Sequence, residues 1–219
     1  MIKAVIFDMD GVLVDSEKHD ANLEIAVLRE FGVAVTSEQM REYVGTNVRD
    51  FVKQVAKDFD VDLPVGEVIK KLDQEREIYY GEIFPLVPHV KGVLESLSQK
   101  YLLGLSTSTS KKHAESILGR FGILNLLRAR TFGDEVERGK PDPEIYVRTA
   151  DKLSGLAGEN LNMSECVVVE DSRNGMHGVK AAGMKLIARR AGHNMHVDFS
   201  LADAVIDDML EIEGVLQNF

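Results

Sequence analysis

The stretch VIFDMDGVLVDSE, residues 5–17, sets an apolar run against four acidic residues, with Asp8 and Asp10 two apart where a strand stops. Unpaired carboxylates beside a hydrophobic core are costly, so this placement asks what they hold. The run that leads into them, IKAVIF (2–7), is continuous rather than alternating, as expected of a parallel strand buried on both faces. Further runs of this kind are YLLGLS (101–106), ARTF (129–132), CVVVE (166–170), MKLIA (184–188) and the weaker ADAVI (202–206).

Helical segments lie between them. Ala114, Ile117, Leu118 and Phe121 follow the i, i+3, i+4, i+7 spacing of a core-facing stripe. Gly32, Gly122 and Gly183, each followed by an apolar residue, read as left-handed glycine caps. Asp142 before Pro143 reads as an N-cap with proline at the first helical position. Alternating strand and helix predicts a doubly wound α/β sheet.

Residues 16–85 break the alternation, because no strand is legible there. Three stripes are: Ala21, Ile25 and Leu28; then Val48, Phe51, Val52 and Val55; then Ile69, Leu72 and Tyr79. Thr36 with Gln39 forms a capping-box pattern. A segment of about seventy residues is too long for a crossover connection. The expected organisation is an α/β core from 1–15 and 86–219, with a helical domain, 16–85, hinged near Val14–Ser16 and Pro85–Pro88.

Composition narrows the function. Of 219 residues, 26 are basic and 36 acidic, for a formal net charge of -10, which argues against binding a nucleic-acid backbone. A small phosphorylated metabolite remains compatible if a cation offsets the field. The single cysteine, Cys166, opens an apolar run and reads as a buried structural thiol. There is no 18-residue apolar span and no secretory signal, so cytoplasm is the expected compartment, with no membrane partner and a monomer as the default.

In an open parallel sheet, ligands bind outside the carboxyl ends of the strands. The first strand ends in Asp8 and Asp10, the second in Ser106 within GLSTSTS, and the fourth in Glu170 and Asp171 within VVVEDSRNG. The third feeds GDEVERGKPDP, whose Lys140 precedes a helix. Two unit charges ~4 Å apart repel by roughly 4 kcal/mol even at an effective dielectric near 20. Such a cluster takes up protons or recruits a cation, and an all-oxygen donor set suits Mg²⁺. With a lysine and a hydroxyl nearby, this is equipment for phosphoryl transfer, in which a carboxylate can itself be the nucleophile.

DMDGVLVDSE, LSTST, GKPDPEIY and VVVEDSRNG, in that order, resemble the four signature motifs of the haloacid dehalogenase-like hydrolases, and are most similar to the β-phosphoglucomutase-like branch. The resemblance implies a Rossmann-like core with a helical cap inserted after the first strand. It also implies Asp8 as nucleophile and Asp10 as the acid and base for the leaving oxygen and the water. Mg²⁺ would be held by Asp8, the Asp10 carbonyl and Asp171, with Glu170 close by. Ser106 and the Thr107 backbone would hold the phosphoryl oxygens, Lys140 would balance charge, and Gly11 would let the loop approach the phosphate. Asp10 sets the chain apart from the dehalogenases, which lack an acid there, and Lys53 does not sit in the lysine motif of the phosphonate-cleaving relatives. In the cap loop VGTNVRDFVKQ (44–54), Gly45 and Arg49 would contact substrate, with an ordinary surface charge as the alternative for Arg49.

At the start of the cap, EKHDAN places Asp20 where the mutase has a histidine, with His19 one position earlier. That favours a Mg²⁺-dependent phosphatase acting on a sugar-phosphate-like monoester over a phosphomutase. A non-catalytic receiver-like module would lack both the insertion and the second acid. Asp134 is expected to support the Lys140 loop, and His89, His113, His177, His193 and His196 are expected at surface or loop positions.

Overall fold

The computed structural model describes the backbone of residues 1–43, 46–80 and 84–219, and their side chains apart from residues 17–20 and 77–80. Six parallel strands form one sheet in the order β3-β2-β1-β4-β5-β6. They are β1 (Ala4–Phe7), β2 (Leu102–Thr107), β3 (Ala129–Phe132), β4 (Cys166–Glu170), β5 (Lys185–Arg189) and β6 (Ala204–Ile206). All six expected strands are present, with ends shifted by up to two residues. Their continuous apolar character follows from burial on both sides. Val5, Phe7, Leu103, Leu105, Val167 and Val169 belong to the core on one face. Ala4, Ile6, Cys166 and Val168 belong to the other. The two-residue period of the strand sorts them.

Helices cover both faces. Among them, α5 (Val90–Leu97) and α6 (Lys111–Arg120) pack on the first core, and α7 (Glu144–Ala157) and α8 (Arg173–Ala181) on the second. Gly32, Gly122 and Gly183 have φ of 83°, 69° and 73°, as the cap reading requires. The start of α7 differs from expectation. Pro143 is the N-cap rather than the first helical residue, and Asp142 Oδ1 accepts the Glu144 N–H at 3.0 Å from just outside the helix. Asp142 therefore still satisfies an open helix donor, one position later.

Between β1 and α5 the chain forms α1 (Glu17–Glu30), α2 (Ser37–Met40), α3 (Val48–Asp58) and α4 (Val65–Tyr80). The Thr36–Gln39 capping box is present. Leu28, Phe51, Val52, Val55 and Leu72 bury themselves in a third apolar cluster made wholly of this segment. Tyr79, expected on the same stripe, lies outside the described side chains. The two linkers run side by side: the Asp15 N–H donates to Pro85 O and the Val87 N–H to Leu13 O, both at 3.0 Å. No helix among the described residues is long and apolar enough to cross a membrane.

Candidate active site

The strand order reverses between β1 and β4, so the crevice for a ligand opens at their carboxyl ends. Asp8 follows β1 directly, and Glu170 and Asp171 close β4, all three buried. Lys140 reaches the same point from the loop before α7. Its Nζ lies 2.8 Å from Asp8 Oδ1 and 2.5 Å from Glu170 Oε1, with its side chain 1% exposed. It also sits 5.4 Å from the centre of the Tyr146 ring. Burial alone would lower the lysine, but the charges of Asp8 and Glu170 raise it well above its ordinary range.

Glu170 is fully occupied. Its Oε1 accepts from Lys140 Nζ and Tyr146 OH, and its Oε2 from the N–H groups of Asp171 and Ser172 and the Ser172 hydroxyl. Burial works to raise it, yet Lys140 and these donors hold it below the usual carboxylate range. Asp8 and Asp171 are left with the deficit. Burial pushes Asp8 well up; Lys140 offsets this in part, while Glu170, Asp171 and Asp10 add to it. Burial raises Asp171 as well, against the pull of His193.

Asp8, Glu170 and Asp171 each offer an oxygen within 4.8 Å of the others. Asp171 Oδ1 is buried and meets no donor. An orphaned carboxylate oxygen in an all-oxygen cluster fits a hard divalent cation. Both Glu170 oxygens already serve Lys140 and the β4–α8 turn, so Asp8 and Asp171 are the carboxylates that would ligate such an ion directly. Glu170 anchors the lysine instead.

Asp10 is held differently. Its Oδ1 accepts the Ser16 hydroxyl at 2.6 Å and its Oδ2 the Thr109 hydroxyl at 2.7 Å, tying the linker into the insertion to the loop after β2. Gly11 has φ of 72°, and a Cβ there would lie 2.0 Å from Asp171 Oδ2. Its bareness thus serves the approach of Asp171 to the β1 loop. Gly11 does not line the cleft.

Ser106 does not serve as expected. Gly104 and Ser106 share the face of β2 that meets α7, so the Ser106 hydroxyl lies 2.8 Å from Thr149 Oγ1, buried in the core. Thr107 Oγ1 accepts the Thr109 N–H at 3.1 Å and is likewise buried. Ser108, Thr109 and Ser110 are the residues of this loop that face the cleft. Asp134 accepts the Lys111 N–H at 3.0 Å and so caps α6 rather than the Lys140 loop.

A cleft partly open to solvent separates this rim from the insertion. Gly45 lies outside the described residues, but its neighbour Thr46 lines the cleft, and Asn47 packs against Gly139, beside Lys140. Arg49 is exposed on α3 and does not line the cleft. Arg76 of α4 does, paired with Glu24 of α1.

One histidine departs from the expected surface or loop places, and a second keeps its loop place but meets a carboxylate of the site. His113 is 6% exposed and lines the cleft. His193 Nε2 lies 2.6 Å from Asp171 Oδ2. No spacing in the sequence announces His193, which arrives 22 residues after its partner on the loop beyond β5. Cys166 is buried as expected, its thiol pushed up to about 11 by burial.

The sequence model of the haloacid dehalogenase-like hydrolases matches residues 5–189. A phosphorylated carbohydrates phosphatase of Thermotoga maritima is 31% identical over 187 residues, covering 85% of this chain and 84% of its own. The validoxylamine A 7'-phosphate phosphatase of Streptomyces hygroscopicus subsp. limoneus is 29% identical, covering 97% of this chain and 96% of its own. In fold, the crystal structure of CbbY from Rhodobacter sphaeroides in complex with phosphate superposes with a TM-score of 0.83 at 24% identity, over 97% of this chain and 96% of that one.

Proposed function

This chain belongs to the haloacid dehalogenase-like hydrolases and is a phosphoric monoester hydrolase; we propose that it hydrolyses a small sugar-phosphate-like metabolite, with Mg²⁺, through an aspartyl-phosphate on Asp8. The observation that carries this reading is Lys140 buried between Asp8 and Glu170, beside the donorless Asp171 Oδ1. One lysine cannot balance three buried carboxylates and an incoming phosphate dianion. Asp8, Asp171 and the Asp10 carbonyl would hold the divalent ion, which supplies the positive charge that the cluster and the phosphate lack.

Asp8 attacks phosphorus in line, forming its bond as the ester P–O bond breaks. Asp10, placed by Ser16 and Thr109, gives its proton to the leaving oxygen. It then takes a proton from the water that attacks phosphorus, which frees phosphate and restores Asp8. Lys140 stays on Asp8 throughout and offsets charge on the transferring group. Ser108 and Thr109 border the place where phosphoryl oxygens sit.

The helical insertion acts as the cap. Its Thr46–Asn47 turn lies over the Lys140 loop, so closing it excludes water from the first step and opening it admits substrate. Hydrolysis is favoured over the mutase alternative because Arg49, the cation expected for a second phosphate, lies outside the cleft. A panel of phosphorylated metabolites, assayed with Mg²⁺ and with EDTA, tests the proposal. Phosphate release that stops on chelation is expected. Full activity in metal-stripped protein would overturn it.

A further inference from the structure

Beyond the reacting groups, the cleft holds an ion pair that the chemistry above leaves unused. Arg76 Nη2 donates to Glu24 Oε1 at 2.6 Å, and the two side chains are 15% and 18% exposed. Both line the cleft, as do Asp73, three residues before Arg76 on α4, and His113 from the core. The charge of Asp10 is felt at Glu24, and those of Asp73 and Arg76 at His113. The pair therefore faces the space next to the catalytic acid, where the leaving group must sit.

We propose that the Glu24–Arg76 pair recognises the leaving group, and that it selects an uncharged, polyhydroxylated one over one that carries a second anion. The inference rests on the phosphatase reading and names its substrate class. An ion pair presents an acceptor and a donor side by side. A hydroxyl, which both donates and accepts, matches it, and neighbouring hydroxyls of a polyol can span it. A carboxylate or a second phosphate can only accept. It would meet an arginine already paired with Glu24 and flanked by the carboxyl groups of Glu24 and Asp73.

Among the described residues lining the cleft, the other lysine or arginine is Lys140, which is committed to Asp8 and Glu170. Arg49 is turned to solvent. A site whose polar groups expect a hydroxyl discriminates strongly against a group that cannot complete them.

The test compares kcat/KM with Mg²⁺ for sorbitol 6-phosphate, 2-phosphoglycolate and p-nitrophenyl phosphate. Sorbitol 6-phosphate should exceed 2-phosphoglycolate by at least about tenfold. Glu24→Gln, which removes one negative charge from beside Arg76, should bring that ratio toward unity. If Glu24→Gln does not fold, Arg76→Gln carries the test with the opposite sign and should widen the ratio. A wild-type preference for 2-phosphoglycolate, or a ratio that these substitutions leave unmoved, overturns the inference while the phosphatase reading stands. No release from any of the three substrates sinks both.

Discussion

At the rim of the sheet, Lys140 lies between two carboxylates in a place 1% exposed, with a third buried carboxylate close by. In the helical insertion, Arg76 meets Glu24 at 2.6 Å with both side chains still partly open to the cleft. The first arrangement carries more negative charge than its own cation can balance, and burial makes the deficit expensive. The second is balanced within itself and keeps water on one side. A charge deficit fits the divalent ion proposed for the site. A balanced pair at a cleft wall suits the reversible recognition of hydroxyls.

The largest effect that could break this contrast is on turnover. Asp8→Asn should lower phosphate release by at least about 10⁴-fold while leaving the circular dichroism spectrum unchanged. A near-normal rate would remove the nucleophile from the rim. Next, Lys140→Ala leaves Asp8 and Glu170 facing each other without their cation, at an expected cost of about 3–5 kcal/mol in urea unfolding with EDTA present. A loss well under 1 kcal/mol would mean that the rim is not in deficit.

His193 sharpens the comparison, because it holds the carboxylate whose other oxygen is donorless. His193→Ala should weaken Mg²⁺ binding by about tenfold, read from the Mg²⁺ dependence of the thermal midpoint. Unchanged affinity would make the histidine a packing contact only. Ser106→Ala should keep kcat within about threefold of the parent and cost about 1 kcal/mol of stability through the lost Thr149 bond. A collapse in kcat would restore Ser106 to the site.

The smallest effect lies far from both regions. Burial works against Asp203, but Lys180, the Leu186 N–H and Lys185 hold its carboxyl below the usual range. A carboxyl lowered on folding stabilises above its unfolded pKa of about 4, and that contribution is lost as pH falls through the folded value. Asp203→Asn should therefore cost roughly 1 kcal/mol at pH 7, after screening by solvent, and nothing near pH 2. An equal cost at both would assign the effect to packing.

The sites where sequence and structure part company share a cause. Glu24 falls within the stripe of Ala21, Ile25 and Leu28, and Arg76 within that of Ile69, Leu72 and Tyr79. A charge on a core-facing stripe was a legible signal, although nothing in the chain says that the two meet. Arg49 was chosen from a local motif, and its helix turns it outward. Ser106 is the residue at which the strand was expected to stop, but β2 runs on to Thr107. Ser106 therefore stays inside the strand against α7, and the first hydroxyl of the loop to reach the cleft is Ser108, two residues on. Neither His193 nor Tyr146 carried any local mark of its partner.

The apolar runs of the chain and the acids that close them determined the parallel sheet, the helical insertion and the identity of Asp8, Asp10, Lys140, Glu170 and Asp171 as one group. Those features follow from local periodicity and from a general rule about strand ends, both of which a linear sequence contains. Tertiary structure alone decided the division of labour within the group: Glu170 as the lysine's anchor, Asp171 with a free oxygen, Asp10 under two hydroxyls, Glu24 against Arg76. Each of those assignments depends on which donors reach a buried oxygen. Those donors come from segments far apart in the chain, so their arrival is fixed by packing and not by spacing.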